Sequence, residues 1–259
     1  MPATPAWPPK SAPRLFVESA LSKGQSLSID GQQGHYLAKV MRVAPGDAVI
    51  LCDDRTGEWL ATVAEAGKRA VTLSVERQLR VREAVPDLWL CPALLKKDRF
   101  DMVLEKATEL GVGAIHPVIT RRCVADKLNP DRARTIVTEA AEQCARTALP
   151  ALEAPQKLDA MMREWPEDRL LFFADEEGGQ PAAEAFAFSK FPERGEGAHK
   201  AAILIGPEGG FDHAEREAIR AHPQARPISL GPRILRGETA ALAAVALWMG
   251  LAGDWETPC

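Results

Sequence analysis

Two turns dominate what this chain can fold into. Ile205-Gly206-Pro207-Glu208-Gly209-Gly210-Phe211 follows the apolar run Ala201–Ile205, and Gly231-Pro232-Arg233-Ile234-Leu235-Arg236-Gly237-Glu238-Thr239-Ala240 follows Ile228–Leu230. Each leads into a segment of helical pattern. Turns of this kind at the carboxyl ends of neighbouring strands make a ligand cleft, because backbone N–H and C=O groups there are free to bind something other than each other. Neither turn is G-x-G-x-x-G, and neither carries the Gly-Lys-Ser/Thr of a phosphate loop. The glycines still permit positive φ and close approach of the backbone to a ligand. The competing reading is a tight strand-to-helix connection that binds nothing.

The rhythm on either side of residue 82 differs. Before it, Arg14–Val17, Ser26–Ile29, Ala48–Cys52, Trp59–Val63 and Ala70–Val75 are short β-prone runs separated by turn signals, with one short helix fitting His35–Val43. Such spacing predicts a small barrel. After it, strand and helix alternate. Leu88–Leu94, Ala114–Ile119, Leu170–Ala174 and Ala201–Ile205 read as strands. The spacing of Phe100, Val103, Leu104, Ala107 and Leu110 predicts a helix stopped by Gly111, and Asn129-Pro130 starts another whose apolar stripe runs from Ala133 to Cys144. Asp212-His213-Ala214-Glu215 predicts a capping box, and Glu238–Ala252 a final helix. Asp175–Lys200 reads as a surface connection. The expected fold is α/β with a mostly parallel sheet, divided at residues 1–82 and 83–259, with 1–13 a Pro-rich disordered lead-in.

Charge supports the same division. The 259 residues have a net charge of −4, but residues 1–82 carry 11 Lys and Arg against 8 Asp and Glu, and the remainder 21 against 28. A basic front end on an acidic body fits a nucleic-acid-touching module joined to something else, or ordinary surface variation. The five cysteines form no CxxC pair and the five histidines lack ligand spacing, so neither a disulfide framework nor a metal is expected. Cys144 reads as a small buried hydrophobe. No apolar run approaches the roughly 18 residues of a spanning helix, and residues 1–13 lack the apolar segment of a signal peptide. A cytoplasmic protein, not attached to a membrane, is expected.

Several side chains near these turns could carry chemistry. Arg236, Glu238 and Thr239 stand at a helix start beside free N–H groups, where Thr239 or Glu238 could equally act as a cap. Glu208 is either a base or an acceptor for backbone N–H groups. Arg121-Arg122 follow a strand at the same sheet edge. Glu142 and Arg146, four residues apart on one expected helix, can pair.

The chain resembles, nearly end to end, the RsmE-type 16S rRNA (uracil-N3)-methyltransferases of the SPOUT superfamily. The resemblance is carried by Arg14-Leu15-Phe16-Val17, His35–Gly46, Asp98–Gly113, Arg122-Cys123, Glu142-Gln143-Cys144-Ala145-Arg146, GPEGGF and LGPRILRGETA. Residues 1–13 fall outside it, and Gly237 stands where such sequences commonly have Thr or Ala. The resemblance implies an N-terminal PUA-like β-barrel that grips RNA, a SPOUT α/β domain with a trefoil knot, a homodimer, S-adenosylmethionine as methyl donor, and 16S rRNA or the small ribosomal subunit as partner. Three turns would hold the donor. Carried onto this chain they supply Ala174; Ile205, Gly206, Pro207, Glu208, Gly209 and Gly210; and Leu230, Gly231, Ile234, Leu235, Arg236 and Thr239. Arg236 is the candidate for charge stabilisation, with Glu238 or Glu208 as base or orienting group. Arg14, Lys39, Arg42 and Arg55 are candidate RNA contacts on the barrel, with Arg121, Arg122 and Arg146 at the cleft. The rival from another class is a non-catalytic RNA-binding ribosome-assembly factor on the same fold.

Overall fold

The computed structural model describes residues 8–9, 11–187 and 200–255. Most of the expected lead-in over 1–13 and the later part of the expected connection Asp175–Lys200 lie outside the described residues. The chain divides into two compact units, residues 1–84 with 141–149, and residues 85–140 with 150–259.

The first unit is a five-stranded sheet. Its elements are β1 (Arg14–Phe16), β2 (Ser26–Ile29), α1 (Gly31–His35), a π-helical turn (Tyr36–Met41), β3 (Ala48–Cys52), β4 (Gly57–Ala66) and β5 (Val71–Val81), in the sheet order β1-β3-β4-β5-β2. β1 runs parallel to β3 and every other pair is antiparallel. Alternate positions bury Leu15, Val49, Leu51, Val63, Leu73 and Val75 in one core. β4 and β5 are longer than expected, because three register shifts between them let the pairing continue past the polar residues that break the alternation. The helix expected over His35–Val43 starts earlier and changes type. Arg42 ends it in the left-handed conformation at φ 53°. In the β3–β4 turn Asp53 accepts N–H groups of Leu21, Arg55 and Thr56. Burial alone would raise its carboxyl, but these donors outweigh it and hold the group below its ordinary range.

Residues 141–149 belong to this unit, a placement the sequence pattern did not reveal. Glu142 Oε1 accepts the Phe16 N–H at 2.8 Å, Asp54 Oδ1 that of Leu149 at 2.9 Å, and Arg80 donates to the Ala145 carbonyl at 2.7 Å. The expected stripe through Cys144 is therefore cut short. The helix ends at Gln143, Ala145 takes φ 60°, and Cys144 is exposed rather than buried. Glu142 and Arg146 do not share one continuous helix, and Arg146 is buried with its Nε 3.7 Å from Glu83.

The second unit contains β6 (Leu88–Pro92), α2 (Lys97–Glu109), β7 (Ala114–Ile115), β8 (Val118–Ile119), most of α3 (Pro130–Gln143), β9 (Ala151–Leu152), β10 (Gln156–Lys157), α4 (Leu158–Arg163), β11 (Arg169–Ala174), β12 (Gln180–Pro181), α5 (Ala182–Ala187), β13 (Lys200–Ile205), α6 (His213–Arg220), β14 (Ala225–Ser229) and α7 (Gly237–Leu251). Its main sheet has the order β12-β14-β11-β13-β6-β7-β9 with every pair parallel. Gly111 follows α2 at φ 99°, the Asn129 side chain accepts the Arg132 N–H at the start of α3, and Asp212 with Glu215 forms the expected capping box. Two expectations fail locally. The strand expected over Ala114–Ile119 is split between β7 and β8, with Pro117, which has no N–H for a ladder, in the break. The expected connection after Ala174 contains β12 and α5, stabilised by Phe186 packed edge-on to Phe172 at 5.0 Å.

Around Trp89 the sheet carries an aromatic and cationic stack. The His116 ring lies 4.1 Å from that of Trp89, and the Arg169 guanidinium 3.7 Å from it. Burial pushes the His116 imidazole below its ordinary 6.5, with Glu153 opposing and Arg169 reinforcing the shift. The folded protein thus binds this proton less readily than the unfolded chain. The stability is complete above about pH 6.5 and is lost as pH falls through the folded-state value. His116→Phe keeps the stacking surface, so its melting temperature should fall less than that of the parent between about pH 7 and 5. Parallel melting curves for the two proteins would dismiss this role for His116.

Candidate active site

β14, β11 and β13 are consecutive neighbours in the parallel sheet, so their carboxyl ends open at one edge. The segments that leave those ends wall a cleft of about 270 Å³. Asp175, Glu176 and Gly178 come from the turn after β11, Gly206, Pro207 and Gly210 from the turn after β13, and Leu230–Leu235 from the turn after β14, with Gly237 and Ala240 of α7 completing it. An edge where three strands release their backbone groups is the ordinary place for a ligand in a sheet of this kind.

Glycine is needed at two of these positions. Gly210 sits at φ 66° and donates to the Pro207 carbonyl at 2.9 Å, and a Cβ there would overlap the Glu176 carboxylate. A Cβ on Gly206 would lie 3.0 Å from the buried Phe211 ring, so this turn is folded onto its own aromatic residue.

The acidic turn is held from beneath by arginines of α6. Asp175 Oδ2 accepts from Arg220 Nη2 at 2.6 Å and Nε at 2.9 Å, while Oδ1 lies 3.2 Å from Arg216 Nε. Arg216 also donates to Glu176 at 2.8 Å and pairs with Glu177. Asp175 Oδ1 in turn accepts the Glu177 N–H at 3.0 Å, which fixes the turn itself.

At the other side of the cleft, Arg236 is the N-cap residue of α7 with an exposed side chain that makes no capping hydrogen bond. The N-cap position belongs to Arg236, and Glu238 and Thr239 both lie inside α7, so neither is its N-cap residue as the sequence reading allowed. Glu238 is buried, and its Oε2 has no hydrogen-bond partner among the described residues. Arg99 Nη1 donates to Glu208 Oε1 at 3.0 Å, and Arg99 Nε lies 3.7 Å from Glu238 Oε1.

An RNA methyltransferase domain family matches residues 82–249, and an RNA methyltransferase PUA domain family matches residues 29–76. The ribosomal RNA small subunit methyltransferase E of Bacillus subtilis is 30% identical across 90% of this chain and 94% of its own length. The chain belongs to the ribosomal RNA small subunit methyltransferase E family. A methyltransferase from Legionella pneumophila, solved with S-adenosylmethionine, superimposes with a TM-score of 0.81 at 29% identity, over 93% of this chain and 98% of that one. The family member from Neisseria gonorrhoeae, also solved with S-adenosylmethionine, gives 0.81 at 27% identity over 94% and 99%.

Of the residues singled out in the sequence of this family member, Ala174, Ile205, Gly206, Pro207, Gly210, Leu230, Gly231, Ile234 and Leu235 line the cleft. Glu208, Gly209, Arg236 and Thr239 are not among its lining residues. The expected RNA contacts fall into two groups. Lys39, Arg42 and Arg55 are exposed on the first unit. On the second unit, Arg121 is exposed and pairs with Asp212 at 2.8 Å, and Arg122 donates to the Gly209 carbonyl at 2.8 Å. Arg14 and Arg146 are instead turned inward, Arg14 paired with Glu58 and Arg146 beside Glu83. The segment after Leu170–Ala174 was expected to be one of the three donor-holding turns, but the sequence reading named neither Asp175 nor Glu176 in it and gave Arg99 no role. The Gly-rich turns signal only where a ligand fits, and ion pairs between residues 40 to 109 positions apart leave no periodic trace.

No helix among the described residues is long and apolar enough to cross a membrane, and no group of three His, Cys, Asp or Glu among them could hold a metal ion.

Proposed function

We propose that this protein transfers the methyl group of S-adenosylmethionine to N3 of a uridine in 16S ribosomal RNA. The observation that carries the reading is the cleft at the ends of β14, β11 and β13, in a chain whose family relatives superimpose on it with that donor bound. The cleft suits the donor. Its volume is near the lower end of small-ligand sites, about 300 Å³. Gly206 and Gly210 leave backbone bare at its wall, and Glu176 is an acidic residue among those that line it. Residues of the three turns would hold the molecule, with Glu208, Gly209, Arg236 and Thr239 bordering the lining set. When bound, the sulfonium supplies an electrophilic methyl group.

The rest of the task falls to the protein. Uridine N3 keeps its proton at neutral pH and is a poor nucleophile until that proton leaves. The exposed Arg236 guanidinium is free to place the base and to stabilise negative charge spreading onto the uracil oxygens. Glu238 has a buried carboxylate oxygen without a hydrogen-bond partner among the described residues, and Glu208 is the second candidate to accept the proton or orient the base. Lys39, Arg42, Arg55, Arg121 and Arg122 are the surface cations for phosphates, and the target base would be extruded from its stack.

The finer architecture belongs to the same proposal. The first unit closes as a PUA-like barrel that grips RNA, and residues 83–259 form the methyltransferase domain, a division supported by the matched ranges 29–76 and 82–249. Insertion of β13 between β6 and β11 is compatible with a trefoil knot. The working form is a cytoplasmic homodimer. Mass spectrometry of small-subunit rRNA incubated with the protein and labelled donor should locate one methyl group on uridine N3. A ribose or another base as the modified group would replace the assignment. Calorimetry without donor binding would favour the non-catalytic assembly factor.

A further inference from the structure

We propose that Arg99 is a positioning residue of the cleft, acting through Glu208 and Glu238; this rests on the methyl-transfer reading above. Arg99 makes the 3.0 Å hydrogen bond to Glu208 and lies 3.7 Å from Glu238. The three residues come from three elements: Arg99 from the first turn of α2, Glu208 from the glycine-rich turn after β13, and Glu238 from the first turn of α7. One cation thereby ties a wall of the cleft to the helix whose Gly237 and Ala240 complete it.

The packing is arranged for this approach. A Cβ on Gly237 would lie 3.0 Å from Leu95 Cδ2 and 3.4 Å from the Gly206 carbonyl oxygen, so the bare position lets α7 start close against the turn. That closeness brings the Glu238 carboxylate to Arg99. Only 10% of the Glu238 side chain is exposed, and its Oε2 has no hydrogen-bond partner among the described residues. Burying such a carboxylate is compensated by a cation placed beside it. Helix electrostatics do not favour an arginine here. The amino end of α2 is the positive pole of its dipole, and Lys96 and Lys97 add like charge against the single acidic residue of the first turn, Asp98. The two carboxylates give Arg99 a reason to occupy this position that its own helix lacks.

Arg99 does not line the cleft, so its removal acts through the turn. The test is a double-mutant cycle on S-adenosylmethionine affinity, measured by calorimetry on the full chain with Arg99→Ala, Glu208→Gln and the combined variant. Each single change should weaken binding about tenfold, and the combination no more than the weaker-binding single variant, because both abolish the same ion pair. Arg99→Lys should recover part of the loss. Should Arg99→Ala fail to fold, Arg99→Lys and Glu208→Gln complete the cycle. A lowered melting temperature with unchanged affinity would reduce Arg99 to a structural role and overturn the proposal. A combined loss of about a hundredfold would show the two residues acting independently, with the same consequence. If the unaltered protein binds no S-adenosylmethionine, the methyl-transfer reading fails and this inference with it. Binding that is equal in the parent and Arg99→Ala sinks the inference alone.

Discussion

Arg236→Ala should slow methyl transfer by about a hundredfold to a thousandfold, the usual loss when one donor aimed at a developing oxyanion is removed. Affinity for S-adenosylmethionine should stay within about twofold, since Arg236 lies outside the lining of the cleft. Stability should change little. Arg236 is the N-cap of α7 with extended backbone angles, φ −67° and ψ 153°, and its side chain makes no capping bond that alanine would remove. A fall in rate therefore cannot be ascribed to a frayed helix. The discriminating measurement is the single-turnover rate at saturating donor, paired with calorimetry. A rate equal to that of the parent would remove Arg236 from the chemistry. A matching loss in donor affinity would recast it as a binding residue.

Asp175→Ala should cost about 3–5 kcal/mol of stability, the range for deleting one partner of a buried ion pair. The Asp175 side chain is wholly buried and that of Arg216 is 5% exposed, so the deletion leaves a guanidinium with much of its compensation gone. Arg220, more exposed, can turn to water and contributes less. The loss corresponds to a melting temperature lower by about 10 °C. Because Asp175 also accepts the Glu177 N–H, the turn bearing Glu176 should loosen and donor affinity should fall together with stability. Asp175→Asn keeps the shape and part of the hydrogen bonding, and should cost less than alanine. An alanine variant that melts within about 2 °C of the parent would show that the existing pairs of Arg216 with Glu176 and Glu177 compensate it without Asp175.

The residues that were legible in the sequence are those whose signal is local. Gly111, Asn129 and the Asp212–Glu215 box mark helix ends by backbone chemistry within a few residues, and each appears where its chemistry placed it. The glycine-rich turns were legible for the same reason, since positive φ at Gly210 and Gly231 is a property of single residues. Cys144 misled because an apolar stripe of correct period continued past the point where the chain left the helix. Arg14 and Arg146 misled because a sequence shows charge but not direction. Each faces a carboxylate 44 and 63 positions away in the chain.

By itself the sequence determined the class of fold, the place of the cleft and the family. Periodicity, turn chemistry and motif spacing are encoded over stretches of ten to twenty residues. Tertiary structure decided which charges are paired within the protein and which stand exposed. Arg216 and Arg220 are committed to Asp175, and Arg99 to Glu208 and Glu238, while Arg236 is left exposed at the start of α7. The physical reason is the short reach of a hydrogen-bonded ion pair. It forms only when sheet order and helix docking bring distant residues within a few ångströms, and no local pattern records that distance.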